Sequence, residues 1–409
     1  LFSARPRQAR RLRADLSAYD RLDQSPYPYD GHARDLIDRW WRVLPPPARA
    51  SIAKRFSNKR REQHLGAFFE LYMASMVSRL STGVTVDVGQ ENDATRDPDL
   101  FIIDVDSQWS VEATVVLGDD VVGPKDRPRV GALYEAIELI STREYLIGID
   151  LLAVGAGNPG RRNVTTKLDR WLQSLDIDEQ RARAERHDPP CEHLIEWDGW
   201  RVNVSAMPWK DGTINPSESV IGCKTEGGMA GHKNVFEGQR PIVVDGPRKL
   251  SDSRLLAESL RRKAGRGQRL DERPWVIAVM CAGDFVNDRD IGQALLGRIE
   301  RSIDAERGEV LPGEYQPGGL WHQGAGWRYG RVSGVLTVCE LTPRSIAAVG
   351  PTVWLNPAAE HPLPVGVFPW RTMHIQLDGQ VAEEEARRSA AEVFAISRSF
   401  PRTRADDPS

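Results

Sequence analysis

Three carboxylates stand out by where they fall in the chain. Glu112 lies in the middle of 108–116 (QWSVEATVV), where alternation puts Trp109, Val111, Ala113 and Val115 on one face and Ser110, Glu112 and Thr114 on the other. An acidic group inside so apolar a strand is costly to bury unless a cation or a donor compensates it. Asp99 opens the preceding segment, 98–104 (PDLFIID). If the two segments form a hairpin turning near Val105-Asp106, equal counting along each arm brings Asp99 level with Glu112. Glu70 shares a helix side with Met73 and Val77, at i+3 and i+7, and so faces a sheet and not solvent. Carboxylates confined together raise one another's pKa values unless a hard divalent cation takes up their charge. Mg²⁺ or Mn²⁺ held by such oxygens suits phosphodiester hydrolysis.

The elements needed to position these groups are legible around them. A helix is expected over 62–80, where Leu65, Phe69, Tyr72, Met76 and Leu80 repeat at three- and four-residue steps and Gly83 lies just past the end. Strands are expected at 84–89, 98–104 and 108–116, then a helix at 130–142 and a buried strand at 145–154 (YLIGIDLLAV). A charged helix at 164–186 leads through Asp188-Pro189-Pro190 to a strand at 200–207, and 210–250 is a Gly-, Pro- and Lys-rich loop or insertion. A helix at 251–264 precedes a fully apolar strand at 274–281 (PWVIAVMC). Beyond 285 come a helix, the loop GGLWHQGAGW, a strand at 331–339 and a Pro-broken tail with a helix near 381–397.

The order helix-Glu, strand, Pro-Asp, then (Asp/Glu)-x-Lys resembles the restriction-endonuclease-like, or PD-(D/E)xK, superfamily. The chain supplies Glu70, then Pro98-Asp99, then Glu112-Ala113-Thr114. The words AFFELYMASM, RDPDLFI and VEAT, with LRRKAGRGQRLDERPWVIAVM and RVSGVLTV…WLNPAAEHPLP, resemble a group of uncharacterised bacterial proteins of that superfamily. The resemblance implies an α/β fold. A restriction-endonuclease-like core, a mixed central sheet flanked by helices, would span 61–285 with an insertion at about 120–250. A helical region would precede it at 1–60 and an α+β extension would follow at 286–409. It also implies Asp99 and Glu112 as metal ligands, Glu70 as an auxiliary ligand, Mg²⁺ or Mn²⁺ as cofactor, and cleavage of nucleic acid. DNA is expected before RNA, in a setting such as restriction or phage defence, and a homodimer would suit double-strand cuts. The departure is Thr114, which stands where the superfamily has a lysine. Lysine relocation to a neighbouring helix is a variation of the superfamily, and Lys263 is the best substitute, ahead of Arg261, Arg262 and Lys224. The alternative is a core that has lost cleavage and acts as a nucleic-acid-binding or regulatory protein.

Other features narrow the field. No apolar run approaches a bilayer span, and the arginine-bearing first fifteen residues lack the apolar stretch of a secretory signal. The chain opens on Leu1 and not on Met, as expected where a short N-terminal piece is missing. Cys191, Cys223, Cys281 and Cys339 are scattered without zinc spacing, which points to a reducing cytoplasm. Net charge is −3, so the chain as a whole is no basic magnet for nucleic acid, yet 5–13 and 54–61 are basic clusters that read as solvated faces or DNA-holding surfaces. Gly155, Gly157 and Gly160 follow a strand without a convincing helix behind Pro159, His187 and His193 make a poor metal pair, and Trp321, His322 and Trp327 are read as packing before base stacking.

Overall fold

The computed structural model describes residues 1–4, 7, 17–80, 85–88, 99–103, 108–117, 126–186, 188–209, 244–245, 252–266, 273–282, 286–300, 314–315, 318–323, 326–364, 366–377 and 379–401. The segments 5–6 and 8–13, Gly83, Pro98, the turn at 105–106, His187 and Lys224 lie outside them. Four helices come first: α1 (Ala18–Gln24), α2 (Pro28–Arg42), α3 (Pro46–Phe56) and α4 (Arg61–Val77). α4 is apolar nearly all round, with Phe68, Phe69, Leu71, Tyr72, Met73 and Met76 fully buried, as befits a helix packed on several sides. Those sides meet α2, α3 and the sheet.

Strands β1 (Thr85–Val88), β2 (Leu100–Ile103) and β3 (Gln108–Val116) follow. Next come α5 (Arg127–Ile137), β4 (Tyr145–Ala153), α6 (Arg161–Gln173), α7 (Ile177–Glu185), β5 (Cys191–Trp197), β6 (Trp200–Pro208) and β7 (Val244–Asp245). The remainder holds α8 (Asp252–Arg266), β8 (Trp275–Cys281) and α9 (Asp288–Leu296). Two short hairpins, β9 (Ile299–Glu300) with β10 (Glu314–Tyr315) and β11 (His322–Gln323) with β12 (Gly326–Trp327), precede β13 (Gly334–Cys339). The last elements are β14 (Thr352–Leu355), β15 (Arg371–Ile375), β16 (Val381–Glu384) and α10 (Ala390–Phe394).

The chain divides into two compact units: Leu1–Pro6, Ser17–Gly118 and Leu250–Ser409 in the first, Arg7–Leu16 and Asp119–Lys249 in the second. The first is α/β, built on an eight-stranded mixed sheet of order β1-β2-β3-β8-β13-β14-β15-β16. β3 and β13 run parallel to the central β8, β2 and β14 antiparallel to their inner neighbours. Residues 286–409 thus supply half the strands of this sheet and do not stand apart from it as an extension. Strand β8 is buried on both faces, and its residues divide by parity. Val276, Ala278 and Met280 join the core shared with α1–α4 and α10, and Trp275, Ile277, Val279 and Cys281 join the core under α8 and α9. Strand β3 divides the same way, with Trp109, Val111 and Ala113 toward the first core and Val116 toward the second.

The second unit is a four-stranded sheet of order β5-β6-β4-β7 with its own core, in which Leu133, Ile147, Leu168, Trp200 and Val202 are buried. Its helical stretch at 164–186 is two helices, not one, because Asp176 accepts the N–H groups of Asp178 and Glu179 and caps a fresh start. A helix does begin behind Pro159, at Arg161, against the expectation from sequence. A Cβ on Gly155 would meet the Trp200 ring at 2.3 Å, so that glycine serves close packing. The helix expected near 381–397 is instead strand β16 followed by the five-residue α10. Trp321 is buried in the core, whereas Trp327 is half-buried and donates to the Leu377 carbonyl.

Ile277 lies between β3 and β13 beneath α8 with no exposure. Ile277→Ala is expected to cost about 2–5 kcal/mol in urea unfolding, with an unchanged slope; a loss below about 1 kcal/mol would contradict this packing.

Candidate active site

The hairpin register brings the first two carboxylates together. Leu100 stands opposite Val111 and Ile103 opposite Gln108, which sets Asp99, one residue earlier, level with Glu112. Leu100 and Ile102 point into the α4-side core, so alternation turns Asp99 to the other face of the sheet, the face of Glu112. Asp99 Oδ2 accepts the Ala113 N–H at 2.7 Å. That bond ties the start of β2 across to β3 at the level of the acidic pair.

Helix α8 covers this face. Leu256, Leu260 and Ala264 form its buried stripe at four-residue steps, and Lys263 stands at the seam, three residues after Leu260 and one before Ala264. From there its Nζ donates to Glu112 Oε1 at 2.7 Å, with side chains 18 % and 22 % exposed. An ion pair this sheltered is screened less than a surface pair and costs more to break from one side. The other cations considered from sequence go elsewhere: Arg261 donates to the Gly318 carbonyl and Arg262 to Ser259 Oγ. Thr114, two residues along β3 on the Glu112 face, is level with Val279 of β8 and brings no charge.

Glu70 is held differently. Arg55, near the end of α3, meets both of its oxygens in a fork, Nη1 to Oε1 and Nη2 to Oε2, each at 2.5 Å. Sequence reading missed Arg55 by counting it with the solvated charges at 54–61. Its signal was positional: α3 buries Ala48, Ile52 and Phe56, and Arg55 stands three residues after Ile52 and one before Phe56. That is the same place relative to its stripe as Lys263 holds on α8.

Two ion pairs, Arg55–Glu70 and Lys263–Glu112, thus act on Asp99 through the charges of Glu70, Glu112 and Lys263, and Asp99 is the acid without a cation hydrogen-bonded to it among the described residues. Burial pushes its carboxyl up to about 7, the negative charges of Glu70 and Glu112 push the same way, and Lys263 and the Ala113 N–H oppose them. Among the described residues no set of three or more His, Cys, Asp or Glu is grouped to hold a metal ion. Mg²⁺, however, takes one or two protein carboxylates and fills its shell with water and substrate oxygens. Asp99 and Glu112 fit that demand, since an added positive charge would offset the repulsion that raises the Asp99 pKa. Glu70, with both oxygens on Arg55, does not fit as a further direct ligand.

In the folded chain Asp99 keeps its proton up to about pH 7, whereas an unfolded aspartate loses it near 3.8. The native state thus binds the extra proton between these values, and stability falls as pH rises through that window. Asp99→Asn, which keeps the acceptor for Ala113, is expected to stabilise the fold by roughly 2–4 kcal/mol at pH 8.5 in EDTA. The gain should vanish toward pH 4, and a gain that is flat with pH would refute the charge assignment.

Comparison with protein-family models, with curated proteins and with solved structures finds no match to this chain.

Proposed function

We propose that this chain is a metal-dependent nuclease of the PD-(D/E)xK kind, hydrolysing phosphodiester bonds of nucleic acid, with DNA as the preferred substrate. The observation that carries the reading is the meeting of Asp99, Glu112 and Lys263 from three separate segments on one face of a mixed sheet. Within that sheet we read α4, β1–β3, α8 and β8 as the restriction-endonuclease-like core. Asp99 and Glu112 would hold Mg²⁺ or Mn²⁺, which supplies the Lewis acidity for attack on phosphorus. Lys263 holds Glu112 in place and offers a positive charge to the phosphate from α8, the task that Thr114 cannot perform. Arg55 fixes Glu70, whose negative charge reaches Asp99 and strengthens the pull on a divalent cation.

A second reading, a binding or regulatory protein without cleavage, is favoured by Thr114 and by the engagement of Glu112 with Lys263. Nicking of supercoiled plasmid in Mg²⁺ or Mn²⁺ separates the two. The nuclease reading expects Asp99→Ala and Glu112→Ala each to lower the rate by about 10²–10³-fold or more, and Lys263→Ala by about 10²-fold. Cleavage that survives both carboxylate substitutions would reject the site, and binding without cleavage on duplex or single strand would favour the second reading.

A further inference from the structure

Residues 43–61 carry Arg49, Lys54, Arg55, Lys59, Arg60 and Arg61 and not one Asp or Glu, in a chain whose net charge is −3. The structure sorts these cations by task. Arg49 lies over the Trp41 ring, Arg55 grips Glu70, and Arg61 Nη2 donates to the Ala282 carbonyl at 3.2 Å. Lys54, Lys59 and Arg60 remain exposed, and among the described residues none of the three has a carboxylate partner. Lys54 lies in the last turn of α3, and the chain that leads from it to Lys59 and Arg60 is fixed by its own bonds: the Ser57 N–H donates to the Ala53 carbonyl, and the Arg60 N–H to Asn58 Oδ1.

The position of this segment relative to the carboxylates follows from the strand register. Glu112 is level with Ile277 of β8, and Ala282, where Arg61 is anchored, lies five residues further on. That separation is about 16 Å along the strand, or roughly five nucleotides of duplex rise. At the other end of the patch, Lys54 adjoins Arg55, which is bonded to Glu70 beside Asp99. Arg55 and Arg61 thus tie the segment that carries Lys54, Lys59 and Arg60 to Glu70 at one point and to the end of β8 at another.

From this arrangement we infer that Lys54, Lys59 and Arg60 form a backbone-tracking surface for a DNA duplex, gripping phosphates a few nucleotides from the one that reaches Asp99 and Glu112. The inference rests on the nuclease reading for its choice of partner, but its chemistry is separate. It concerns sequence-independent charge neutralisation away from the reacting bond. Removing a cation that neutralises a phosphate should take away that cation's share of the salt dependence of binding.

The test is fluorescence anisotropy with a short fluorescein-labelled DNA duplex in EDTA over a salt series, on the whole chain and on the triple variant Lys54→Ala, Lys59→Ala, Arg60→Ala. Binding by the variant is expected to weaken by roughly tenfold or more near 0.1 M salt, with the log–log salt slope shallower by about 2–3. Its melting temperature should not move, because all three side chains are exposed. Equal affinity and slope for the two proteins would overturn the inference while leaving the plasmid result untouched. Loss of binding in the triple variant together with a natural protein that cuts nothing would uphold the surface and reject the nuclease reading. Tighter binding to single-stranded RNA than to the duplex would overturn the choice of partner.

Discussion

Asp99 accepts one backbone hydrogen bond, from Ala113, and shares its surroundings with Glu70, Glu112 and Lys263. Two cationic side chains are bonded to the acids around it, Lys263 on Glu112 and Arg55 on Glu70, and neither bond goes to Asp99 itself. Burial, and after it the negative charges of Glu70 and Glu112, push the Asp99 carboxyl up to about 7. On the proposed nuclease reading, one added divalent cation would offset the repulsion that Glu70 and Glu112 exert on Asp99. The first unit is arranged to bring these groups together. The β2–β3 hairpin sets Asp99 against Glu112, α8 delivers Lys263 across the same face, and α3 and α4 supply the Arg55–Glu70 pair.

Much of this is readable from sequence, because period-two and period-3.6 patterns are local. Counting from a turn at 105–106 sets Asp99 level with Glu112, and the observed register continues to the same pairing. Apolar alternation in β3 separates Trp109, Val111 and Ala113 from Glu112, and the two cores keep that separation. Lys263 stands out as a relocated cation, and its place at the seam of a helical stripe is what lets it reach Glu112. Arg55 carries the same signal on α3 and is easily overlooked, because a basic run draws attention to the cluster and away from the stripe beneath it.

Where sequence misleads, the cause is a competing local signal. The Asp198-Gly199 pair turns β5 into β6 with both residues at positive φ, +43° and +81°, the geometry that the dipeptide favours in two-residue hairpins. The upstream prolines at 189 and 190 hide the strand between them and that turn. In the last hundred residues, β14, β15 and β16 are four or five residues long and lie among prolines and turns, too short for periodicity to declare them. Their place in the sheet is set by partners distant in sequence, with β13 beside β8 as the link, and no local pattern encodes it.

The central question is whether Asp99 and Glu112 together receive a divalent ion. Crystals of the protein soaked in Mn²⁺, measured at a wavelength where manganese scatters anomalously, would give the most direct answer. An anomalous peak within coordination distance of both the Asp99 and Glu112 carboxylates is the result expected. A map with no peak there, with the Lys263–Glu112 pair intact and the metal bound elsewhere or not at all, would contradict it.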